Sequence, residues 1–496
     1  MQRFGFVILV AWLMLLVSAC QTSIQPEVEA ALANPDQTGI RWGLVVAEMD
    51  GSELLAIRAD DRFTPASNTK IVTTMASYHH LERLSQPQHN PGTQVILDRS
   101  DAEGPPDLIL RGGGDAMLAD ASDCETHCLA ELADRVADTG LTEINQVIGD
   151  DTLFPFERWG PGWSVEDLQF YYGTAVSALS VNDNLVWIDV VPGMAEGDPV
   201  EITWQVGDAY YGIANDAVTS AADADRALRV QRYPGATSVR VYGTVPAGSQ
   251  ALSFGLAIDN PAEFAALRFS RLLEARGLTV GGISTLHRPL TLADEAPVDK
   301  DTPANLVSAR IADAPLIIVN LPASDLTESL KRISKESENL HAEIALRRLG
   351  LVEGTGSRDF GTNALESFLT EAGVTEQGIT LYGGSGMSIY NRISPRAMVR
   401  LLAFAAEQPW FEAWLADQPI GGVDGSLARR FTGTALEGKI FAKTGTLNGA
   451  NALAGVMTAS SGQQLLFSII ANDRPPATRS AIAEMDAALV AIAERY

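Results

Sequence analysis

What most constrains this chain is a change of texture in its middle. From about residue 93 to residue 299, glycine, proline and short alternating strands dominate. Examples are Val95-Ile96-Leu97, Asp107-Leu108-Ile109-Leu110, Glu201-Ile202-Thr203-Trp204 and Ser238-Val239-Arg240-Val241-Tyr242. Alternation with a period of two marks half-buried strands. Two stretches with helical spacing, 128–138 and 261–276, interrupt it. On either side the pattern is mixed. Residues 43–51 read as a buried strand closing at an Asp-Gly turn, with 54–57 as its hairpin partner. Helical spacing appears at 71–76 and returns at 326–349, followed by two apolar strands, 451–458 and 463–471, and a helix from about 479. The two ends therefore form one α/β (α+β) domain, residues 21–92 and 300–496. It is split by an inserted β-rich segment, 93–299, of one or two small domains.

The first twenty residues stand apart. After Met1-Gln2-Arg3 the chain is apolar from Phe4 to Val17. That is short of the roughly 20 residues a membrane helix needs and suits the core of a signal peptide. The segment ends Val17-Ser18-Ala19-Cys20. This looks like a bacterial lipoprotein signal, 1–20, with Cys20 the lipidated mature N-terminus and a lipid anchor the only membrane attachment. Export to the periplasm is expected, and Gln21 in place of an aspartate points to the outer membrane. The other two cysteines, Cys124 and Cys128, form an even pair in an oxidising compartment and read first as a disulfide. Four residues apart on a helix, their Cα atoms would lie about 6 Å apart, within bridging range. His127 between them suggests zinc, but no second cysteine or histidine pair follows, and the bridge is the better reading.

Charge narrows the partners. The formal net charge is −26 and the pI about 4.6. A surface that acidic repels phosphate backbones and argues against nucleic acid. Lysine is scarce, six residues against thirty arginines. A lysine where arginine is the default therefore suggests a need for an amine that can lose its proton.

That need appears in Ser67-Asn68-Thr69-Lys70. At the start of a helix, positions i and i+3 share a face, so the amine reaches the hydroxyl. A desolvated lysine can act there as a base in place of histidine. Histidine-based hydrolysis has no local support: the six histidines form no H-E-x-x-H, and no G-x-S-x-G elbow occurs. On its own S-x-x-K is weak. It is followed, in order, by Ser337-Glu338-Asn339 in a helix-like stretch and by Lys443-Thr444-Gly445-Thr446 at a strand end. A second S-x-N, Ser180-Val181-Asn182, falls inside the β-rich insertion.

With these three motifs the sequence resembles the class C penicillin-binding proteins, the low-molecular-mass D-alanyl-D-alanine carboxypeptidase/endopeptidases. The likeness extends to Pro65-Ala66, Leu108-Ile109-Leu110-Arg111-Gly112-Gly113-Gly114-Asp115, Arg158-Trp159-Gly160-Pro161-Gly162-Trp163, Ser177–Asn182 and Gly384-Ser385-Gly386-Met387-Ser388. Lys70 and Ser337 are 267 positions apart, whereas class A β-lactamases set these motifs closer. Glu338 stands where that family usually has aspartate, and Gly383 where an aspartate often precedes Gly-Ser-Gly. The resemblance implies a penicillin-binding/β-lactamase-like fold and acyl transfer through a serine ester, with peptidoglycan stem peptides as substrate, β-lactams as covalent inhibitors, and no metal or cofactor. It also implies roles: Ser67 nucleophile, Lys70 base, and Ser337 a proton relay held by Asn339 and Lys70. Lys443 and Thr444 would bind the substrate carboxylate. Gly445 and Thr446 would line the same strand, with the N–H groups of Ser67 and Thr446 as the oxyanion hole. The competing readings are a β-lactamase-type hydrolase, for which no deacylating glutamate is recognisable, and a catalytically weak peptidoglycan-binding scaffold.

Overall fold

In the computed structural model, residues 24–33, 39–99, 104–121, 123–205, 210–295, 316–375, 377–475 and 480–496 are described. The signal segment and Cys20 lie outside them. The two ends of the chain meet in one five-stranded antiparallel sheet. Its order is Ile440–Leu447, Ala450–Thr458, Gln464–Asn472, Arg41–Glu48 and Glu53–Ile57. The predicted hairpin turn at Asp50-Gly51 forms, with the Asp50 carboxylate accepting from the Ser52 N–H at 2.9 Å and Gly51 at φ 86°.

Both faces of this sheet are covered, which explains why its central strands read as unbroken apolar runs. Successive side chains point to opposite faces. Val45, Ala47, Ala454, Val456 and Leu466 pack with helices Thr69–His79 and Pro395–Ala406. Leu44, Val46, Leu453, Met457 and Leu465 pack with the terminal helices Gln25–Leu32 and Ile482–Arg495. Strand Ile440–Leu447 is left at the edge of the sheet, beside the turn that carries Ser67.

The inserted region has a hydrophobic core of its own. The two helical stretches expected within it both form, as Leu129–Ala137 and Pro261–Glu274. A five-stranded mixed sheet runs Ile283–Arg288, Val147–Pro155, Asp107–Arg111, Thr93–Asp98 and Leu316–Leu321, with parallel pairs at Val147–Pro155. Helix Leu129–Ala137 lies in the crossover between two of these parallel strands. It buries Leu129, Leu132, Ala133 and Val136, the i, i+3, i+4, i+7 stripe of an amphipathic helix. Two three-stranded sheets and a two-stranded pair, Glu143–Ile144 with Thr279–Val280, belong to the insertion as well.

Two expectations change. The predicted end of the insertion at 299 lies outside the described residues. However, strand Leu316–Leu321 pairs antiparallel with Thr93–Asp98, so the chain leaves the inserted sheet only after Leu321. This edge is closed by a partner more than 200 residues away, and no local pattern announces it. The cysteine pair is bonded, with Cα atoms 5.8 Å apart, but in the turn before helix Leu129–Ala137 and not on a helix.

Candidate active site

The site is assembled from three pieces of backbone that the fold brings together. Ser67 sits in a 3-10 turn, Ala66–Asn68, that leads directly into helix Thr69–His79. Ala66 has φ 48°, a left-handed conformation that costs a non-glycine residue energy and persists only where neighbours enforce it. Gly386 is one such neighbour, since a Cβ there would come within 2.1 Å of the Ala66 carbonyl oxygen. Gly445, on the edge strand, is another. A Cβ on it would meet the Pro65 carbonyl oxygen at 2.6 Å and the Ser67 nitrogen at 3.2 Å. Only glycine lets these segments close around the serine.

Lys70, one helical turn on, is fully buried. Its Nζ lies within hydrogen-bond distance of three oxygens: Ser67 Oγ at 3.1 Å, Asn339 Oδ1 at 2.5 Å and the Ser385 carbonyl at 2.6 Å. An ammonium has three donors and satisfies all three. As the neutral amine it keeps two donors and turns a lone pair towards the third. Burial pulls the Lys70 pKa down to about 7, while the negative charges of Glu343 and Glu338 push it back up. The group is thus a base near neutral pH, the requirement for taking the serine proton.

Ser337 is placed differently from expectation. The stretch 326–349 is not one helix but two, Leu326–Lys335 and Asn339–Glu353. Ser337 forms the break, with φ 67°. Its Oγ accepts from Lys443 Nζ at 2.9 Å, so Lys443, and not Lys70 or Asn339, holds it. Asn339, the first residue of the second helix, divides its amide: Oδ1 accepts from Lys70, and Nδ2 donates to the Tyr172 carbonyl at 2.7 Å. Lys443 is buried on strand Ile440–Leu447 and also donates to the Thr444 carbonyl at 3.1 Å. Burial, then the nearby charge of Lys70, holds its pKa well below the ordinary lysine value. An arriving carboxylate would reverse that by favouring the ammonium. Thr444 Oγ1 donates to Ser426 Oγ at 2.8 Å, and Thr446 Oγ1 accepts from Asn451 Nδ2 at 3.3 Å.

Ser67, Ser337, Asn339 and Thr446 open onto a cleft of about 530 Å³, with Tyr171 and Tyr172 of the insertion forming one wall. Glu343 and the Ser385 carbonyl carry roles that the motifs do not reveal. Buried Glu343 accepts from the Ser385 N–H at 2.9 Å, the Ser385 hydroxyl at 2.5 Å and the Gly384 N–H at 3.1 Å. It thereby anchors the loop whose carbonyl holds Lys70. Its place four residues after Asn339, on the same helix face, was the available signal. The Ser385 carbonyl gave none, because a backbone acceptor leaves no mark on residue identity.

Comparison with known proteins bears on this geometry. Residues 24–495 match the D-Ala-D-Ala carboxypeptidase 3 (S13) family, Peptidase_S13. The chain belongs to this family. It is therefore a serine-type D-alanyl-D-alanine carboxypeptidase, a hydrolase. Among S13 relatives, a D-alanyl-D-alanine carboxypeptidase of Actinomadura sp. (strain R39) is 32% identical over 485 residues, covering 93% of this chain and 84% of the relative. The D-alanyl-D-alanine carboxypeptidase DacB of Haemophilus influenzae is 24% identical, covering 86% and 85%. The crystal structure of penicillin binding protein 4 (dacB) from Haemophilus influenzae matches with a TM-score of 0.77 at 20% identity, over 94% of this chain and 98% of that one. The two structures thus share a fold over 94% of this chain.

Proposed function

We propose that this enzyme removes the terminal D-alanine of peptidoglycan stem peptides through an ester on Ser67, and that β-lactams arrest it by acylating the same oxygen. The observation that carries this reading is Lys70: a buried amine with a pKa near 7, 3.1 Å from Ser67 Oγ. Ser67 Oγ attacks the carbonyl carbon of the D-Ala–D-Ala bond, and its proton passes to neutral Lys70 Nζ. Negative charge develops on the carbonyl oxygen, towards the N–H groups of Ser67 and Thr446 as oxyanion hole. The C–N bond then breaks. The departing amine takes a proton from the Ser337 hydroxyl, and the proton that Lys70 took from Ser67 replaces it, so Lys70 is again neutral and Lys443 stays an ammonium hydrogen-bonded to Ser337. Water cleaves the ester and restores Ser67. Lys443 and Thr444 accept the substrate's terminal carboxylate, whose charge keeps Lys443 protonated.

A cross-link between stems ends in the same D-alanyl acyl group and differs only in its leaving amine. Both bonds are therefore proposed substrates, giving carboxypeptidase and endopeptidase activity from one site. The enzyme works in the periplasm, anchored through lipidated Cys20 in the outer membrane. No helix among the described residues is long and apolar enough to cross a membrane. The test of the chemistry is Ser67→Ala. The variant is expected to stay folded, to lose D-Ala release, and to show no mass increment after penicillin. Substantial peptidase activity in the pure variant would remove Ser67 from its role.

A further inference from the structure

The cleft does not end at Tyr171. That side chain is about half exposed, and its ring lies 6.3 Å from the ring of Trp187, within 24° of parallel. Trp187 is on the outward face of strand Leu185–Val191, with 36% of its surface open. It pairs across the sheet with Gly255, where a Cβ would approach the indole to 2.9 Å and Tyr171 Cβ to 3.0 Å. Glycine at 255 therefore lets the indole and Tyr171 lie close against the strand. Two residues along the same face, Asp189 accepts from Ser253 Oγ at 2.5 Å and from Gln205 Nε2 at 2.8 Å. Ser253 and Gln205 are exposed. None of these side chains has a part in the acyl-transfer steps.

Flat aromatic surface beside an oriented carboxylate, amide and hydroxyl is the chemistry that receives a sugar. The apolar face of a pyranose stacks on a ring, while its hydroxyl and acetamido groups need paired donors and acceptors. The carboxylate disfavours a phosphate-bearing polymer, so charge attraction is not the basis of recognition here. Position points to the same occupant. The patch is continuous with the catalytic centre through Asn339, the Tyr172 carbonyl and Tyr171, which lines the cleft with Ser67. A stem of four residues spans at most about 14 Å, so the sugar that bears it must lie near the cleft mouth.

We propose that Trp187, Tyr171 and the Asp189–Ser253–Gln205 cluster form a subsite for the N-acetylated glycan strand that carries the stem peptide. This rests on the peptidoglycan reading above and adds a second point of recognition to it. The full-length enzyme would be assayed on a free stem pentapeptide and on the same pentapeptide attached to its disaccharide. Wild type is expected to prefer the attached form in kcat/KM. Trp187→Ala should lower kcat/KM for that form about tenfold and leave the free peptide unchanged, with Trp187→Phe restoring most of the loss. Asp189→Ala should act in the same direction, and supports the assignment if the tryptophan variant folds poorly. Equal loss on both substrates, or no preference in wild type, would overturn the subsite. Peptide-free glycan chains, titrated against wild type and Trp187→Ala, test the same point without turnover. Binding weakened by the substitution supports the subsite, and absent binding by wild type rejects it even if pentapeptide is cleaved.

Discussion

Lys70 is an ammonium in water and a base in this protein, and the difference is made by desolvation opposed by carboxylates. Its pKa of about 7 lies far below that of an unfolded lysine. The folded state therefore binds fewer protons than the unfolded one between about pH 7 and 10.5, and this residue's contribution to stability rises with pH across that window. Acylation should follow the same titration. Its rate with penicillin is expected to fall about tenfold per pH unit below about pH 7, as the amine is protonated. Glu343 holds that pKa up, so Glu343→Gln should move the acid limb to lower pH while keeping an oxygen to accept from the Ser385 and Gly384 N–H groups. Stopped-flow acylation across pH measures both. A limb unmoved in Glu343→Gln would mean that the carboxylate positions the loop without tuning the base.

At the scale of elements, the central fact is the broken helix. Ser337 can face Lys443 only because the chain turns left-handed there, and something must hold the two helices at that break. The holder is the second S-x-N segment. Asn182, Asp183 and Asn184 all have positive φ, between 52° and 56°, a run that ordinary side chains adopt only under constraint. Asp183 pairs with Arg332 of the first helix at 3.0 Å and with buried His341 of the second at 2.9 Å. His341 Nδ1 is also 2.8 Å from Ser329 Oγ. The insertion thus clamps both sides of Ser337. Asp183→Ala should cost about 2 kcal/mol by leaving the Arg332 guanidinium and the His341 ring nitrogen without their acceptor. A urea melt would report that loss. Slower acylation at intact fold is expected with it, and an unchanged acylation rate would confine Asp183 to stability.

At the scale of the whole molecule, one peptidase domain is interrupted by a lobe that supplies a cleft wall. A wall that holds the attached chain should tolerate a large leaving group. Purified sacculi are therefore expected to lose cross-linked dimers as well as terminal D-alanine, as read by liquid chromatography of the released muropeptides. Release of D-alanine with dimers intact would leave the carboxypeptidase activity alone. The proposed lipid anchor is a separate matter, since Cys20 lies outside the described residues. Wild type should sediment with outer membranes, and Cys20→Ala should appear in the soluble periplasm. Recovery of wild type in that soluble fraction would remove the anchor from the account.

Much of this protein was legible in its sequence where the relevant contacts are local. Ser67 and Lys70 come together because they are three residues apart at a helix start, and in strands of the insertion such as Asp107–Arg111 alternating apolar residues set which face is buried. The Asp50-Gly51 turn followed from its dipeptide, and the order of the three motifs identified the chemistry. What only the tertiary structure decided are pairings across long separations. Lys70 takes the Ser385 carbonyl, 315 residues on, and Lys443 takes Ser337, 106 residues back. The edge strand Leu316–Leu321 joins the inserted sheet, and Tyr172 offers its carbonyl to Asn339. Two of these four partners are backbone oxygens, which every residue possesses, so residue type carried no signal. The others depend on a left-handed serine and on a sheet edge, both set by packing around them and not by neighbours in the chain.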